Sequence, residues 1–117
     1  MKGLSPTQRT LRQLRQEGRI CGIVERFNRF GGEFGIRQDL FGFIDLIALD
    51  PIKGIIGVQC CGRSGHAEHK RKILENEFAP EWIKAGGKIE IWSWGKQKLR
   101  RGSKAERWKP KIEEIVF

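Results

Sequence analysis

The spacing of apolar positions changes character several times along this chain, and each change marks an element. Across residues 5–17, Leu11 and Leu14 recur at helical spacing, with Leu4 just before them, while Arg9, Arg12, Arg15 and the following Arg19 lie near the other side. Ser5 followed by Pro6 reads as an N-cap with proline at the first helical position, and Gly18 as the stop. The pattern therefore predicts a helix over 5–17. Residues 20–27 read as a strand, and 28–34, which hold Gly31 and Gly32, as a turn or mobile loop. A second strand is predicted over 41–49, then a turn built on Asp50, Pro51, Lys53 and Gly54. The third strand, 55–61, is so continuously apolar that it predicts burial on both faces. A helix over 65–77 follows, with Ile73 and Leu74 turned inward, and Pro80 starts a short continuation that ends at Gly86 and Gly87. Residues 88–94 alternate as a fourth strand, 96–111 read as a basic loop, and 112–117 as an edge strand. The order is αβββαβ with a terminal β appended, which is α/β in class. With no internal repeat or linker, one domain over 1–117 is expected, its core at about 5–94 and a basic hairpin and edge strand at 95–117.

Composition narrows the function classes. In 117 residues, 23 Lys and Arg face 14 Asp and Glu, a formal charge of +9. An excess of this size points to a polyanionic partner, and nucleic acid leads, since no basic amphipathic helix with aromatics on its other face argues for a membrane surface. No stretch approaches the roughly 18 to 20 apolar residues of a membrane span, and no charged-then-apolar leader resembles a signal peptide. Three cysteines, Cys21, Cys60 and Cys61, form no CxxC pair. A disulfide scaffold is disfavoured, and a reducing cytoplasm is the expected compartment.

Asp45 is the most informative residue. It interrupts Phe43, Ile44, Leu46, Ile47, Ala48 and Leu49 in a segment that otherwise reads as buried. Removing a carboxylate from water costs several kcal/mol or more, so such a group is normally paired, hydrogen-bonded or bound to a metal. A structural ion pair with a core arginine is one reading and a metal ligand is the other. In the third strand the period of two places Gly57, Gln59 and Cys61 on one face and Ile56, Val58 and Cys60 on the other. If the second and third strands pair across their turn, Asp45 and Gln59 meet. Two oxygen-bearing side chains and a backbone carbonyl are enough to seat magnesium, which takes oxygen ligands and keeps several waters. A hydrogen-bonded buried amide is the plainer reading of Gln59.

These residues resemble the PD-(D/E)XK nuclease superfamily, in particular the small archaeal Holliday-junction resolvases and their phage relatives. The resemblance covers residues 5–94. It is carried by Leu14-Arg15-Gln16-Glu17-Gly18 at the end of the first helix, by Ile44-Asp45-Leu46-Ile47-Ala48-Leu49 in place of that family's Pro-Asp strand, by Ile55-Ile56-Gly57-Val58-Gln59, and by a helix followed by Ala85-Gly86-Gly87 and a strand. It implies a restriction-endonuclease-like core, a mixed sheet flanked by helices, acting as a magnesium- or manganese-dependent endonuclease on branched or duplex DNA. Asp45 matches the metal-binding aspartate, Gln59 falls at the acidic position, and Cys61 occupies the lysine position. A thiol cannot replace an ammonium beside the attacking water. The lysine of some members comes from the next helix, which makes Lys72 the first candidate here and Lys70 the second. Helix one offers Gln8 and Arg9 where the resolvases have an acidic residue followed by Arg, so Glu25 is the spare carboxylate. The implied metal ligands are Asp45, Gln59 and the Cys60 carbonyl, with Arg63 gripping a neighbouring phosphate. Dimeric resolvases make paired cuts, so a homodimer in a bacterial, archaeal or phage-infected cell is expected.

Zinc is not expected. Cys60, Cys61, His66 and His69 lie close in sequence, but adjacent cysteines on a strand face opposite ways and the spacing lacks separated pairs. The tail carries Lys96, Lys98, Arg100, Arg101, Lys104, Arg107, Lys109 and Lys111 around Trp108, opposed only by Glu106. Like charges clustered this way are eased by an anion, so Lys98, Arg100, Arg101 and Lys104 are candidate DNA-backbone contacts together with Arg9 and Arg12. A solubilising surface is the alternative for both groups. Two other functions compete with the nuclease. One is a catalytically inactive nucleic-acid-binding module or nuclease-like subunit of a larger assembly, and the other is a small basic RNA-associated structural protein.

Overall fold

In the computed structural model, which describes residues 3–28, 30, 31, 33 and 35–117, helix α1 (Pro6–Gln16) begins as its sequence dictates. The Ser5 hydroxyl accepts a hydrogen bond from the Gln8 N–H at 3.1 Å, and Pro6 sits in the first turn, where a missing N–H costs nothing. Thr7, Thr10, Leu11 and Leu14 are its buried face. Strands β1 (Ile20–Ile23), β2 (Arg26–Asn28), β3 (Ile36–Gln38), β4 (Leu46–Asp50) and β5 (Gly54–Gly62) follow. After a 3-10 turn at Arg63–Gly65 come α2 (His66–Leu74), α3 (Ala79–Lys84), β6 (Lys88–Lys98) and β7 (Glu106–Glu114). Five strands make a mixed sheet in the order β1-β4-β5-β6-β7, in which only β5 and β6 run parallel. The parallel pair needs a crossover, and α2 and α3 provide it.

Two apolar layers sandwich the sheet. Leu11 and Leu14 of α1 pack on Leu46, Ala48, Ile56, Val58, Trp92 and Trp94, while Ile73 and Ala79 cover Cys61, Ile89 and Ile91 on the other face. Each such aliphatic side chain contributes about 1.5 to 3 kcal/mol by leaving water. The buried Glu90 is a structural carboxylate, held by Lys53 Nζ at 3.1 Å and Trp92 Nε1 at 3.0 Å. Among the described residues no helix is long and apolar enough to cross a membrane.

Several boundaries differ from those the pattern predicts. The strand expected over 20–27 is split, because the Val24 and Glu25 N–H groups both donate to the Asp45 carbonyl, at 2.9 and 3.1 Å. That bend releases Arg26, Phe27 and Asn28 to pair with β3 in a separate two-stranded sheet. Gly32 and Phe34, expected in the neighbouring turn, lie outside the described residues. The strand expected over 41–49 starts only at Leu46. Residues 41–43 form a turn, and Phe43 and Ile44 are buried by that turn rather than by a strand. The helix expected over 65–77 stops at Leu74, which is exposed, and α3 restarts where the Asn76 side chain accepts from the N–H groups of Phe78 and Ala79, at 2.8 and 3.0 Å. The basic loop expected over 96–111 is largely strand, since Lys96 pairs with Trp108 and Lys98 with Glu106 around a tip at 99–105. The edge strand thus begins at Glu106, well before residue 112.

Candidate functional site

Asp45 stands at the junction of three elements. Its N–H donates to the Val58 carbonyl of β5 at 2.8 Å, and its carbonyl holds the exit of β1. The approach is close because β5 has Gly57 under Ile44, where an added Cβ would come within 2.9 Å of the Ile44 side chain. Asp45 Oδ2 accepts from Gln59 Nε2 and from the Cys60 N–H, both at 2.7 Å. The expected meeting of Asp45 and Gln59 is thus in place. The ligand atoms differ from those anticipated, since Gln59 turns its nitrogen toward the carboxyl and Cys60 offers its N–H. A carboxyl accepts hydrogen bonds, so an amide nitrogen and a backbone N–H are the groups turned to it.

Around this pair the fold brings further carboxylates. One oxygen each of Glu25, Asp39 and Asp45 lie within 4.8 Å of one another, and Gln59 Nε2 reaches Asp39 Oδ2 at 3.5 Å. Glu25 comes from the β1 exit and Asp39 from just after β3. Unlike Glu90, Asp45 forms no salt bridge with a lysine or arginine among the described residues, which removes the core-arginine reading. Burial, then the hydrogen bond to Asp39, pushes its carboxyl up to about 9; the Cys60 N–H opposes this, and the Asp39 and Glu25 charges add to it. At neutral pH Asp45 therefore keeps a proton among neighbouring carboxylates. The donors are hard oxygens, a set that suits magnesium or manganese.

Of the other expected residues, Cys61 lies on the Gln59 face and stays a thiol, pushed up to about 11 by burial and by Asp45. The Cys60 side chain faces α1 on the opposite side of the sheet. Lys70 reaches Glu113 of β7 at 2.5 Å. Lys72, about 200° further round α2, is exposed, and among the described residues no hydrogen bond or ion pair joins it to the cluster. Arg63 is turned to the hairpin instead, donating to the carbonyls of Ser93 at 3.4 Å and Lys109 at 2.9 Å. His66 is buried between Ser93 Oγ at 2.6 Å and Glu113 at 2.8 Å, and His69 Nδ1 donates to the Gly65 carbonyl.

The basic hairpin rises past the end of β5, on the same end of the sheet as Asp45. From Trp92, level with Cys60, to Lys98 is about 20 Å of strand. Arg100, Arg101 and Lys104 occupy its exposed tip. Arg9 of α1 lies over the Trp108 ring at 3.9 Å, and Trp94 Nε1 donates to Thr10 Oγ1, so α1 and the hairpin form one basic surface on which Arg12 is also exposed.

No protein-family model, curated protein or solved structure matches this chain. Sequence reasoning found Asp45, Gln59 and Glu25 and missed Asp39. The available signal was a lone carboxylate just ahead of the apolar run that holds Asp45. It also missed Arg26 and Arg37, which flank the cluster from β2 and β3, with Arg37 4.0 Å from Glu25.

Proposed function

We propose that this protein is a metal-dependent endonuclease acting on DNA, built on a restriction-endonuclease-like core as the resemblance implies. The observation that carries the reading is the buried Asp45, which among the described residues forms no ion pair with a basic side chain, shares its pocket with Asp39 and Glu25, and lies at the end of a sheet whose hairpin is strongly basic. Strand order and directions are compatible with that core. Asp45, Asp39 and Glu25 would hold the ion, with Gln59 turning its amide over to present Oε1. Magnesium or manganese, when bound, supplies a polarised phosphate and a water of lowered pKa. Asp45 would have to give up its proton to serve as a ligand. Glu25, through the carboxylate oxygen not turned to the ion, would accept a proton from the attacking water, and Lys72, on a flexible stem, would face the phosphate. The hairpin and α1 hold the flanking backbone without reading bases.

Cys61 favours a second reading, a module of the same shape that binds nucleic acid without cutting it, because a neutral thiol stands where charge would be wanted. Incubation of the purified protein with a four-way junction and a linear duplex, in magnesium, manganese or EDTA, separates the two. The nuclease reading expects ion-dependent cutting that Asp45→Asn abolishes; binding without cutting in either ion would leave the second reading. A homodimer belongs to the proposal, since one site cuts one strand. Ile20, Leu49 and Ile55 form an exposed apolar row in register across β1, β4 and β5 where a second copy would sit. Sedimentation of a stable monomer at working concentration would remove the paired-cut element.

A further inference from the structure

The loop that carries the cluster contains a strained residue. Phe41 has φ +56°, in the left-handed region, and among the described residues it is the non-glycine residue found there. A bulky side chain adopts this conformation only when its surroundings impose it. Here Leu40 and Ile44 exchange hydrogen bonds at 2.9 and 3.0 Å, and Asn76 Nδ2 donates to the Phe41 carbonyl at 3.1 Å. The strain does not serve to bury the ring, which is 48% exposed.

The ring divides two cavities. On one side a cleft of about 640 Å³ is lined by Phe41, Arg26, Arg37 and Asp39. On the other, a nearly all-apolar pocket of about 320 Å³ is lined by Phe41, Phe78, Trp82 and Ala85 with Glu81 at the rim. The Phe41 ring centroid is 6.0 Å from that of Phe78 and 6.4 Å from that of Trp82. Trp82 is fixed, because its Nε1 donates to the Lys88 carbonyl at 2.7 Å and a Cβ at Gly87 would come within 2.3 Å of it. A preformed aromatic pocket thus adjoins a cleft that holds two guanidinium groups and one of the cluster's own carboxylates.

We propose that the two cavities on either side of Phe41 take one unstacked nucleotide, its phosphate in the cleft by Arg26 and Arg37 and its base in the pocket of Phe41, Phe78 and Trp82. The substrate strand is then unpaired beside the scissile phosphate. Guanidinium forks match phosphate oxygens, and an aromatic pocket accepts a base only when the base has left its own stack. A protein side chain would fill the pocket alone, whereas a nucleotide also brings a phosphate to Arg26 and Arg37, whose exposed guanidinium groups otherwise meet Gln38 at 3.3 Å and Glu25 at 4.0 Å. The inference deepens the nuclease reading and rests on it for the meaning of the adjoining carboxylates.

The test is anisotropy of a labelled single-stranded oligothymidylate and of a blunt hairpin duplex, in EDTA, so that neither metal binding nor cutting enters. Phe41→Gly removes the ring at a position glycine favours, and Phe78→Ala opens the pocket from the start of α3, leaving the Phe41 backbone and its hydrogen bond from Asn76 as they are. Each should weaken single-strand binding by about 5- to 150-fold, the usual worth of one stacked base, and leave duplex binding within about twofold. Equal losses on both probes, or no loss, would overturn the proposal, the second being the result expected if the pocket takes a protein side chain. Manganese binding by the wild type is measured separately. If it fails while the aromatic variants still lose single-strand binding, the nuclease reading falls and the nucleotide site stands; the reverse outcome leaves the nuclease without this site.

Discussion

Asp45→Asn should make the metal-free protein more stable at neutral and alkaline pH. The folded carboxyl titrates near 9 against an ordinary value of 3.8, so between those limits the folded chain holds a proton that the unfolded chain releases. Stability must then fall as pH rises through that window, by up to about 1.4 kcal/mol per pH unit. From pH 4 to pH 7 the ceiling is on the order of 4 kcal/mol. Asparagine keeps the acceptor for Gln59 and the Cys60 N–H and offers an N–H to Asp39, yet needs no proton. Urea unfolding in EDTA, followed by tryptophan fluorescence from pH 5 to 8, should show the variant's lead widening across that range by up to about 4 kcal/mol, the two proteins converging only below the ordinary carboxylate value. Taking the difference between the two proteins cancels the titrating groups remote from the pocket and leaves the coupled set of Asp45, Asp39 and Glu25. Parallel curves, or a variant less stable at pH 8, would refute the account of the pocket.

Lys72→Ala should lower the cleavage rate by roughly 10²- to 10³-fold, the effect of removing a charge that stabilises the transition state, whereas Lys70→Ala should chiefly loosen α2 from Glu113 and appear in thermal unfolding. Equal small kinetic effects would show that no lysine of α2 serves the site. Replacing Lys98, Arg100, Arg101 and Lys104 together by serine should flatten the dependence of log affinity on log salt by roughly 2 to 4 units for duplex DNA, at about 0.9 for each phosphate that is no longer neutralised. A wild-type slope in that variant would make the hairpin tip a solubilising surface and shift the DNA path to Arg9 and Arg12.

The parts of this fold that were legible in its sequence are those fixed by local chemistry. The Ser5-Pro6 cap, the buried run of β5 and the pairing of β4 with β5 follow from capping, apolar continuity and a tight turn. A continuous apolar run does not say whether strand or turn buries it, which is why residues 41–44 read as strand. Alternating charge with sparse aromatics reads as loop although Lys96 and Trp108 face each other across paired strands. The carboxylate cluster was half legible. Asp45 was conspicuous against its apolar neighbours, but Asp39 looks like any loop acid until the bend at Val24 and Glu25 carries β2 and β3 beside it.

On the proposed reading, Glu25, Asp39 and Asp45 form a seat for a divalent cation whose place a proton holds in the free protein. Titration calorimetry with manganese at pH 7, in two buffers of different ionisation enthalpy, measures both halves of that claim at once. The wild type should bind saturably with release of about one proton per ion, as expected when a ligand must deprotonate, and Asp45→Asn should lose both. Absence of binding, or binding that releases no proton and survives Asp45→Asn, would contradict that reading.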